Sequence, residues 1–171
     1  MAPASLQHDI GKQKPFDSPA QEAYLNIQRT AAVLSAQFAA LFKPHHLTEP
    51  QYNLLRILRG ATLGTPARGR RACHEIADQM ISPVPDVTRL VDRLEEAGLA
   101  SRERGEADRR VVYVRITPRG LDLLAVLDKP VLDLHRKQLA HMARESLADL
   151  NALLALARHP ENAAQTPSHA P

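Results

Sequence analysis

The sequence predicts a mainly α-helical protein with one small β hairpin. Apolar residues recur at spacings of three and four along most of the chain, and residues 111–116 are rich in β-branched side chains. With 171 residues, of which 44% are hydrophobic, the chain is long enough for one domain with a substantial core. This composition excludes a fully disordered chain, and the single cysteine excludes a disulfide-stapled scaffold.

The first third of the chain predicts a tail followed by two helices. Residues 1–19 contain three prolines and no apolar period, so we expect a flexible tail. An apolar stripe along residues 20–43 predicts a long helix. Thr48 and Pro50 fit the N-cap and the first turn of a second helix, and Gly60–Gly69 predicts the loop after it.

Two short helices joined by a tight turn are expected next. The first runs from about Ala72 to Met80, and the turn contains the segment Ser82-Pro83-Val84-Pro85. The second lies in the amphipathic segment DVTRLVDRLEEAGL and stops at Gly98, a residue suited to a helix C-cap. Together they predict a helix-turn-helix.

A β hairpin follows this pair of helices directly. Leu99–Arg104 and Val111–Ile116 predict two strands, and the polar segment GEADRR joins them. A hairpin with a charged tip immediately after a helix-turn-helix makes a winged helix-turn-helix, which we assign to residues 48–117.

Two further helices complete the predicted fold. Thr117 and Pro118 fit the N-cap and first residue of a helix that Pro130 should kink or interrupt. A last helix is expected from about Ser146 to Arg158, and residues 159–171 predict a second flexible tail.

The first and last helices carry apolar stripes that lone helices at the two ends of a chain could not easily cover. Burial against a second copy is the simplest solution, so we expect residues 20–43 and 118–158 to form dimerisation helices. The alternative is that these helices pack on each other within one chain.

The distribution of basic residues points to duplex DNA. The net charge is +3, and residues 101–119 alone account for it, with six arginines against three acidic residues. A second cluster, from Arg56 to Arg71, holds five arginines and no acidic residue. Arginine suits phosphate and base-edge contacts, whereas six aromatic residues in the chain argue against a stacking platform for single strands. A solvated arginine-rich surface is the alternative.

Four segments resemble the MarR (multiple antibiotic resistance regulator) family of bacterial transcription regulators: LTEPQYNLLRIL, EIADQM, DVTRLVDRLEEAGLASR and ADRRVVYVRITPRG. The resemblance covers about residues 20–158. It implies a homodimer whose N- and C-terminal helices intertwine and present two winged helices to a palindromic operator. It also implies a repressor that a small molecule, often a phenolic or other lipophilic compound, releases from DNA.

The winged helix and the resemblance together give ten candidate DNA contacts. Where the family usually has Ser or Thr hydroxyls, this chain begins its second helix with Pro83, Val84, Pro85 and Asp86, which leaves direct base readout open. A winged-helix protein-interaction module without DNA binding is the alternative function, and the basic hairpin tip argues against it. The candidates are Ser82, Pro83, Val84, Asp86, Thr88, Arg89 and Arg93 on the helix-turn-helix, and Asp108, Arg109 and Arg110 at the hairpin tip.

The resemblance further implies an effector pocket between the dimer helices and the DNA-binding lobe. One apolar and three polar side chains are candidates for its lining, although each fits a structural role equally well. These residues are Phe42, His45, Tyr52 and Arg56.

Cys73 stands at the start of the first helix of the helix-turn-helix. A helix N-terminus and the neighbouring Arg70 and Arg71 would lower the pKa of its thiol, which is the condition for a redox switch. The simpler interpretation is a plain small residue in a helix.

The sequence contains no convincing catalytic, metal or nucleotide-binding motif. The segment HEIAD has Asp78 where the zinc-protease motif HExxH needs its second histidine, and Asp133, His135 and His141 lack the spacing of a helical histidine pair. The glycine-containing loop lacks the GK[ST] ending of a phosphate-binding loop, and no GxSxG elbow is present. We expect no enzyme, no metal and no cofactor, and a small hydrolase is only a distant alternative.

No targeting or membrane segment is predicted. The longest uncharged apolar stretch, Ala31–Phe42, is too short to span a bilayer, and the first 20 residues lack the apolar core of a secretory signal. With a single cysteine, a reducing cytoplasm is the default compartment. We therefore expect a cytoplasmic, nucleoid-associated bacterial protein.

Overall fold

The computed structural model describes residues 5–63, 69–105, 111–159 and 161. The chain divides into two compact units, one ending at Leu132 and one beginning at Asp133. Within the described ranges the structure is mainly helical with one small sheet. The elements are α1 (Leu6–Asp9), α2 (Pro19–Phe42), a single 3-10 turn (Lys43–His45), α3 (Glu49–Thr62), β1 (Arg71–Ala72), α4 (Cys73–Gln79), α5 (Val87–Glu96), β2 (Ala100–Arg104), β3 (Val112–Ile116), α6 (Pro118–Leu139) and α7 (Arg144–Arg158).

The start of α3 confirms the expected cap. Thr48 Oγ1 accepts a hydrogen bond from the backbone N–H of Gln51 (3.4 Å), and Gln51 Oε1 accepts one from the N–H of Thr48 (2.8 Å). This reciprocal capping box satisfies two backbone donors that a helix start leaves unpaired. The helix continues to Thr62, beyond the expected end at Gly60, and residues 64–68 of the predicted loop lie outside the described ranges.

The predicted hairpin is present, and a third strand extends it. The strand order is β1-β3-β2, with all neighbours antiparallel; the β2–β3 register runs from Ala100 opposite Ile116 to Arg104 opposite Val112. The sequence analysis did not predict β1, because two residues are too few to show an alternating pattern.

The core of the first unit lies between α3, α4, α5, α6 and the sheet. Each of these elements contributes fully buried apolar side chains. The largest of them, together with Phe42 at the end of α2, are Leu54, Leu55, Leu58, Ile76, Val91, Leu94, Val114, Leu124 and Leu127.

Three further helices depart from the sequence expectation. The short α1 was not predicted, yet its Leu6 is only 4% exposed. The helix α6 continues through Pro130 to Leu139, so of the two expected effects, a kink or an interruption, the interruption is absent. A proline removes one backbone hydrogen bond, and the burial of Leu127 and Val131 on either side stabilises the helix against that loss. The last helix starts at Arg144, two residues earlier than predicted.

An ion pair connects α3 with α6. The guanidinium of Arg59 donates two hydrogen bonds to the carboxylate of Asp128, at 2.8 and 2.7 Å. The hydrogen bond raises the pKa of Arg59 and lowers that of Asp128. Because the pKa of Asp128 is lower in the folded state, the pair stabilises the fold above the ordinary aspartate pKa, and this contribution is lost as the pH falls through the folded value.

We expect Gly120→Ala to lower the free energy of unfolding by about 1–3 kcal/mol. An alanine Cβ there would overlap the carbonyl oxygen of Leu99 and lie 2.8 Å from Cγ1 of Ile116. Gly60→Ala is the matched control, because a Cβ at this helical position meets no atom within 4 Å and removes the conformational freedom of glycine. Urea unfolding should show a loss for Gly120→Ala only, and equal stability of the two variants would contradict this packing.

Candidate nucleic-acid interface

The seven-residue connection between α4 and α5 brings the candidate residues of the helix-turn-helix together. It is longer than the tight turn expected from the sequence. Asn53 on α3 holds it in place, because its Oδ1 accepts a hydrogen bond from the backbone N–H of Ile81 at 2.9 Å. Ser82 and Pro83 are exposed and Val84 is half-buried, so this segment forms a mixed polar and apolar edge before α5.

Asp86 caps α5. Its Oδ1 accepts a hydrogen bond from the backbone N–H of Arg89 at 3.0 Å, which satisfies a donor at the start of the helix. The structure therefore gives Asp86 a local role in addition to its predicted place among the DNA contacts. A carboxylate also suits the positive end of the helix dipole.

Arg89 and Arg93 form a cationic pair on successive turns of α5. The side chain of Arg89 is 81% exposed, and its nearest carboxylate oxygen, on Asp86, is 3.9 Å away. Arg93 is exposed as well and makes no ion pair within the described residues. Thr88 is exposed beside them. This edge of α5 has one weakly paired cation and one that is unpaired among the described residues, both of the kind that contact phosphates and base edges.

Several other arginines are neutralised by ion pairs. Glu103 on β2 binds Arg115 (2.9 Å) and Arg70 (3.3 Å), and the guanidinium of Arg70 lies 4.3 Å from the ring centre of Tyr113. The hydrogen bond from Arg115 holds the pKa of Glu103 below its ordinary value, and that from Arg70 adds to the effect. The richness in arginine that suggested DNA binding is therefore partly structural.

Arg102 on β2 was not among the candidates, yet it contacts three residues of α5. Its guanidinium binds Asp92 and Glu95 and the carbonyl oxygen of Thr88. Asp92 on α5 and Arg102 on β2 are ten positions apart and belong to elements with different periodicities. No pattern in the sequence therefore indicated that they pair.

The tip of the wing, with Asp108, Arg109 and Arg110, lies outside the described residues. The strands that lead to it are described. The backbone N–H of Gly105 donates to the carbonyl oxygen of Val111 (2.9 Å), which pairs the two strands next to the tip.

Cys73 lines a cavity of about 460 Å³ between α4, α5 and the wing strands. Burial raises the pKa of its thiol above the ordinary value, and the charge of Arg102 opposes this effect only in part. The expectation that Arg70, Arg71 and the helix N-terminus lower this pKa was wrong, because desolvation of the thiolate dominates.

Three of the four candidates for an effector pocket contact one another, but Phe42 and Tyr52 are core residues. Phe42 is fully buried, and its ring stacks on that of Tyr52 at a centroid distance of 4.7 Å. The hydroxyl of Tyr52 accepts a hydrogen bond from Arg56 at 3.1 Å, and His45 is half-buried. None of the four lines the three cavities described for this chain.

The largest of the three cavities, about 660 Å³, lies between the C-terminal end of α2 and the start of α3. Its lining combines small apolar residues with two basic side chains and one acidic side chain. Its lining consists of Ser35, Ala36, Ala39, Lys43, His46, Leu47, Thr48, Glu49 and Pro50.

The described residues hold no group of three His, Cys, Asp or Glu side chains placed to bind a metal ion. A search of the same ranges finds no helix with the length and apolar character needed to cross a membrane.

Replacing Asp86 with alanine should destabilise the fold by about 1 kcal/mol, because the N-cap hydrogen bond to Arg89 is lost. Asp86→Asn is the matched variant, since asparagine caps a helix equally well while removing the charge. Urea denaturation should place Asp86→Asn close to the wild type, and an equal loss for both variants would contradict the capping role.

Comparison with known proteins agrees with this geometry. Residues 47–112 match the MarR family. The chain is 41% identical to a MarR transcription factor from Planctomyces limnophilus of known structure, a match that covers 83% of this chain and 99% of the other, with a TM-score of 0.62. It is 29% identical to the homoprotocatechuate degradative operon repressor of Escherichia coli, over 73% of this chain and 84% of that protein.

The fold is also shared with Sco3205, a MarR family transcriptional regulator from Streptomyces coelicolor solved in complex with DNA. That match has 20% identity and a TM-score of 0.73, and covers 86% of this chain and 92% of the other.

Proposed function

Because the chain belongs to the MarR family of winged-helix transcription regulators, we propose that it binds a palindromic operator as a homodimer and represses transcription. It is a DNA-binding regulator and not an enzyme. The observation that carries the proposal is the pair Arg89 and Arg93, which lies exposed on successive turns of α5. A regulator of this kind acts in the bacterial cytoplasm at the nucleoid.

In this proposal α5 enters the major groove with its N-terminal half. Arg89 lies close enough to the start of the helix to read a base edge, whereas Arg93, one turn later, contacts a phosphate. Ser82, Pro83, Val84 and Thr88 line the same edge and add polar and apolar contacts. Asp108, Arg109 and Arg110 at the wing tip reach the neighbouring backbone or minor groove.

The homodimer is supported by apolar side chains that a single chain leaves exposed on its long helices. On α2, Tyr24 is 62% exposed and Val33 is 49% exposed. On α6, Val126 is 61% exposed, and on α7, Leu153 is 64% exposed. Burial of these side chains against a second copy removes apolar area from water and sets two α5 helices in a two-fold arrangement.

Selection from a random-sequence duplex library tests the proposal. We expect the wild type to enrich two inverted half-sites with centres about one helical turn apart, since a two-fold dimer reads both at once. Arg89→Ala should lose its base preference at one position in each half-site. Arg119→Ala is the control, because its guanidinium lies beside Gly98 at the other end of α5.

A single, unrepeated half-site would contradict the dimeric mode of binding. No enrichment at all would contradict the proposed function and favour a winged helix that binds a protein.

We place the effector of this repressor in the 660 Å³ cavity between α2 and α3. Lys43 offers a positive charge and His46 a hydrogen bond to a phenolate or carboxylate, which together act against the carboxylate of Glu49 in the same lining. Ala36 and Ala39 form an apolar wall. The related repressor from Escherichia coli, named for homoprotocatechuate degradation, supports a ligand of this class.

Linkage gives the test of the effector proposal. A phenolic compound that weakens operator binding about tenfold must itself bind about tenfold more weakly to the DNA-bound protein. We expect Lys43→Gln to weaken the binding of anionic phenols and to leave operator affinity unchanged, with Lys12→Gln as the control. Isothermal titration calorimetry measures both, and unaltered phenol binding by Lys43→Gln would exclude this cavity.

A further inference from the structure

We propose that Arg102 is a positioning residue for DNA recognition, which fixes α5 relative to the wing and neutralises the carboxylates on the wing side of the helix. The inference rests on the proposed DNA-binding function and adds a residue that contacts no DNA itself.

Four hydrogen bonds or ion pairs join Arg102 to three successive turns of α5. Its Nη2 lies 2.6 Å from Oδ1 of Asp92 and donates to the carbonyl oxygen of Thr88 at 3.0 Å. Its Nη1 lies 2.8 Å from Oε2 of Glu95, and its backbone N–H donates to Oε1 of the same carboxylate at 3.0 Å. These partners follow one another at spacings of four and three, so they form one stripe along the helix.

The planar fork of arginine suits this arrangement. One guanidinium reaches two carboxylates and a carbonyl oxygen at fixed angles, which the single ammonium of a lysine cannot do. The side chain of Arg102 is 25% exposed. Burial works against its charge, but the hydrogen bonds to Asp92 and Glu95 outweigh burial and raise the pKa above the ordinary value.

The same contacts divide the charges of α5 between two faces. Asp92 and Glu95 are paired on the wing side, whereas Arg89 and Arg93 stay available on the other edge. Without Arg102, two carboxylates would be left uncompensated on the helix that is proposed to bind DNA, and they would repel its phosphates.

The direction in which one substitution changes operator affinity distinguishes positioning from simple charge repulsion. Asp92→Asn removes a negative charge, so repulsion alone predicts tighter binding to every duplex. Positioning predicts the opposite for the operator, because α5 loses a contact that sets its angle to the wing.

The matched control is Glu96→Gln on the same helix. Glu96 is exposed, lies next to Glu95 and makes no ion pair within the described residues. Its replacement removes one negative charge from α5 and leaves the Arg102 contacts intact.

The experiment is a fluorescence anisotropy titration of the full chain with the selected operator and with a scrambled duplex. We expect Glu96→Gln to bind both duplexes as tightly as the wild type or slightly more tightly. Asp92→Asn should lose about tenfold in operator affinity, about 1.4 kcal/mol, while its affinity for the scrambled duplex changes little. Arg102→Gln should lose at least as much on the operator and, because Asp92 and Glu95 are then uncompensated, a clearly smaller factor on the scrambled duplex. Arg102→Lys should be intermediate, since it keeps the charge but only one contact.

The salt dependence distinguishes positioning from direct contact. If Arg102 touched a phosphate, Arg102→Gln would reduce the slope of log affinity against log salt by about 0.9. We expect Arg102→Gln to show the wild-type slope with the scrambled duplex, because Arg102 contacts no phosphate.

Hydrogen exchange in the free protein gives a readout without DNA. The amides of α5 should exchange faster in Asp92→Asn than in Glu96→Gln.

Two results would overturn the positioning role: tighter operator binding by Asp92→Asn, or an equal loss on both duplexes with a lowered melting temperature. Failure of the proposed function is distinct, because the wild type itself would then show no preference for the operator.

Discussion

The burial of one face of α5 is the constraint on which the DNA-binding lobe depends. Val91 and Leu94 are fully buried and Val87 is 9% exposed, and the helix packs on β2, α3 and α4. Burial of such side chains contributes about 1.5–3 kcal/mol each, so the rotation of the helix about its axis is well determined. Because that face is fixed inward, Arg89 and Arg93 are held outward.

The C-terminal end of α5 fixes the position of the wing relative to this helix. Gly98 adopts a left-handed conformation with φ of +69°, and the backbone N–H groups of Gly98 and Leu99 donate to the carbonyl oxygens of Glu95 and Leu94. This motif ends the helix and turns the chain directly into β2. Arg102 then lies beside α5, where apolar packing and ion pairing act on the same helix from two sides. A regulator that reads bases gains from this rigidity, because small changes in the angle of a helix move its side chains off the base edges.

Local signals in the sequence predicted much of the fold, whereas long-range contacts could not be predicted. The caps at Thr48 and Gly98 and the strands of the wing depend on residues within a few positions of each other, and the structure confirms them. The pair Arg59 and Asp128 is 69 positions apart, and no pattern connects its members. The basic residues of the sequence therefore predicted a DNA-binding surface without showing which arginines are already paired.

The candidate residues for an effector pocket show the same limit of prediction from the sequence. In a sequence, an aromatic residue at the end of a helix fits a pocket wall and a core residue equally well. Phe42 is a core residue that stacks on Tyr52. The wider cavity next to it is formed by the end of α2 and the start of α3, where small residues leave space. A few small residues in a helix do not by themselves predict a cavity, so this one could be found only from the fold.

The most direct measurement is a fluorescence titration of the protein with its selected operator and with a scrambled duplex, at about 50 and 200 mM salt. The account predicts that the operator binds more tightly at both salt concentrations. It also predicts that affinity for both duplexes falls steeply with salt, because arginines on α5 and the wing displace counterions from phosphates. Weak binding, equal for the two duplexes and insensitive to salt, would contradict the central claim.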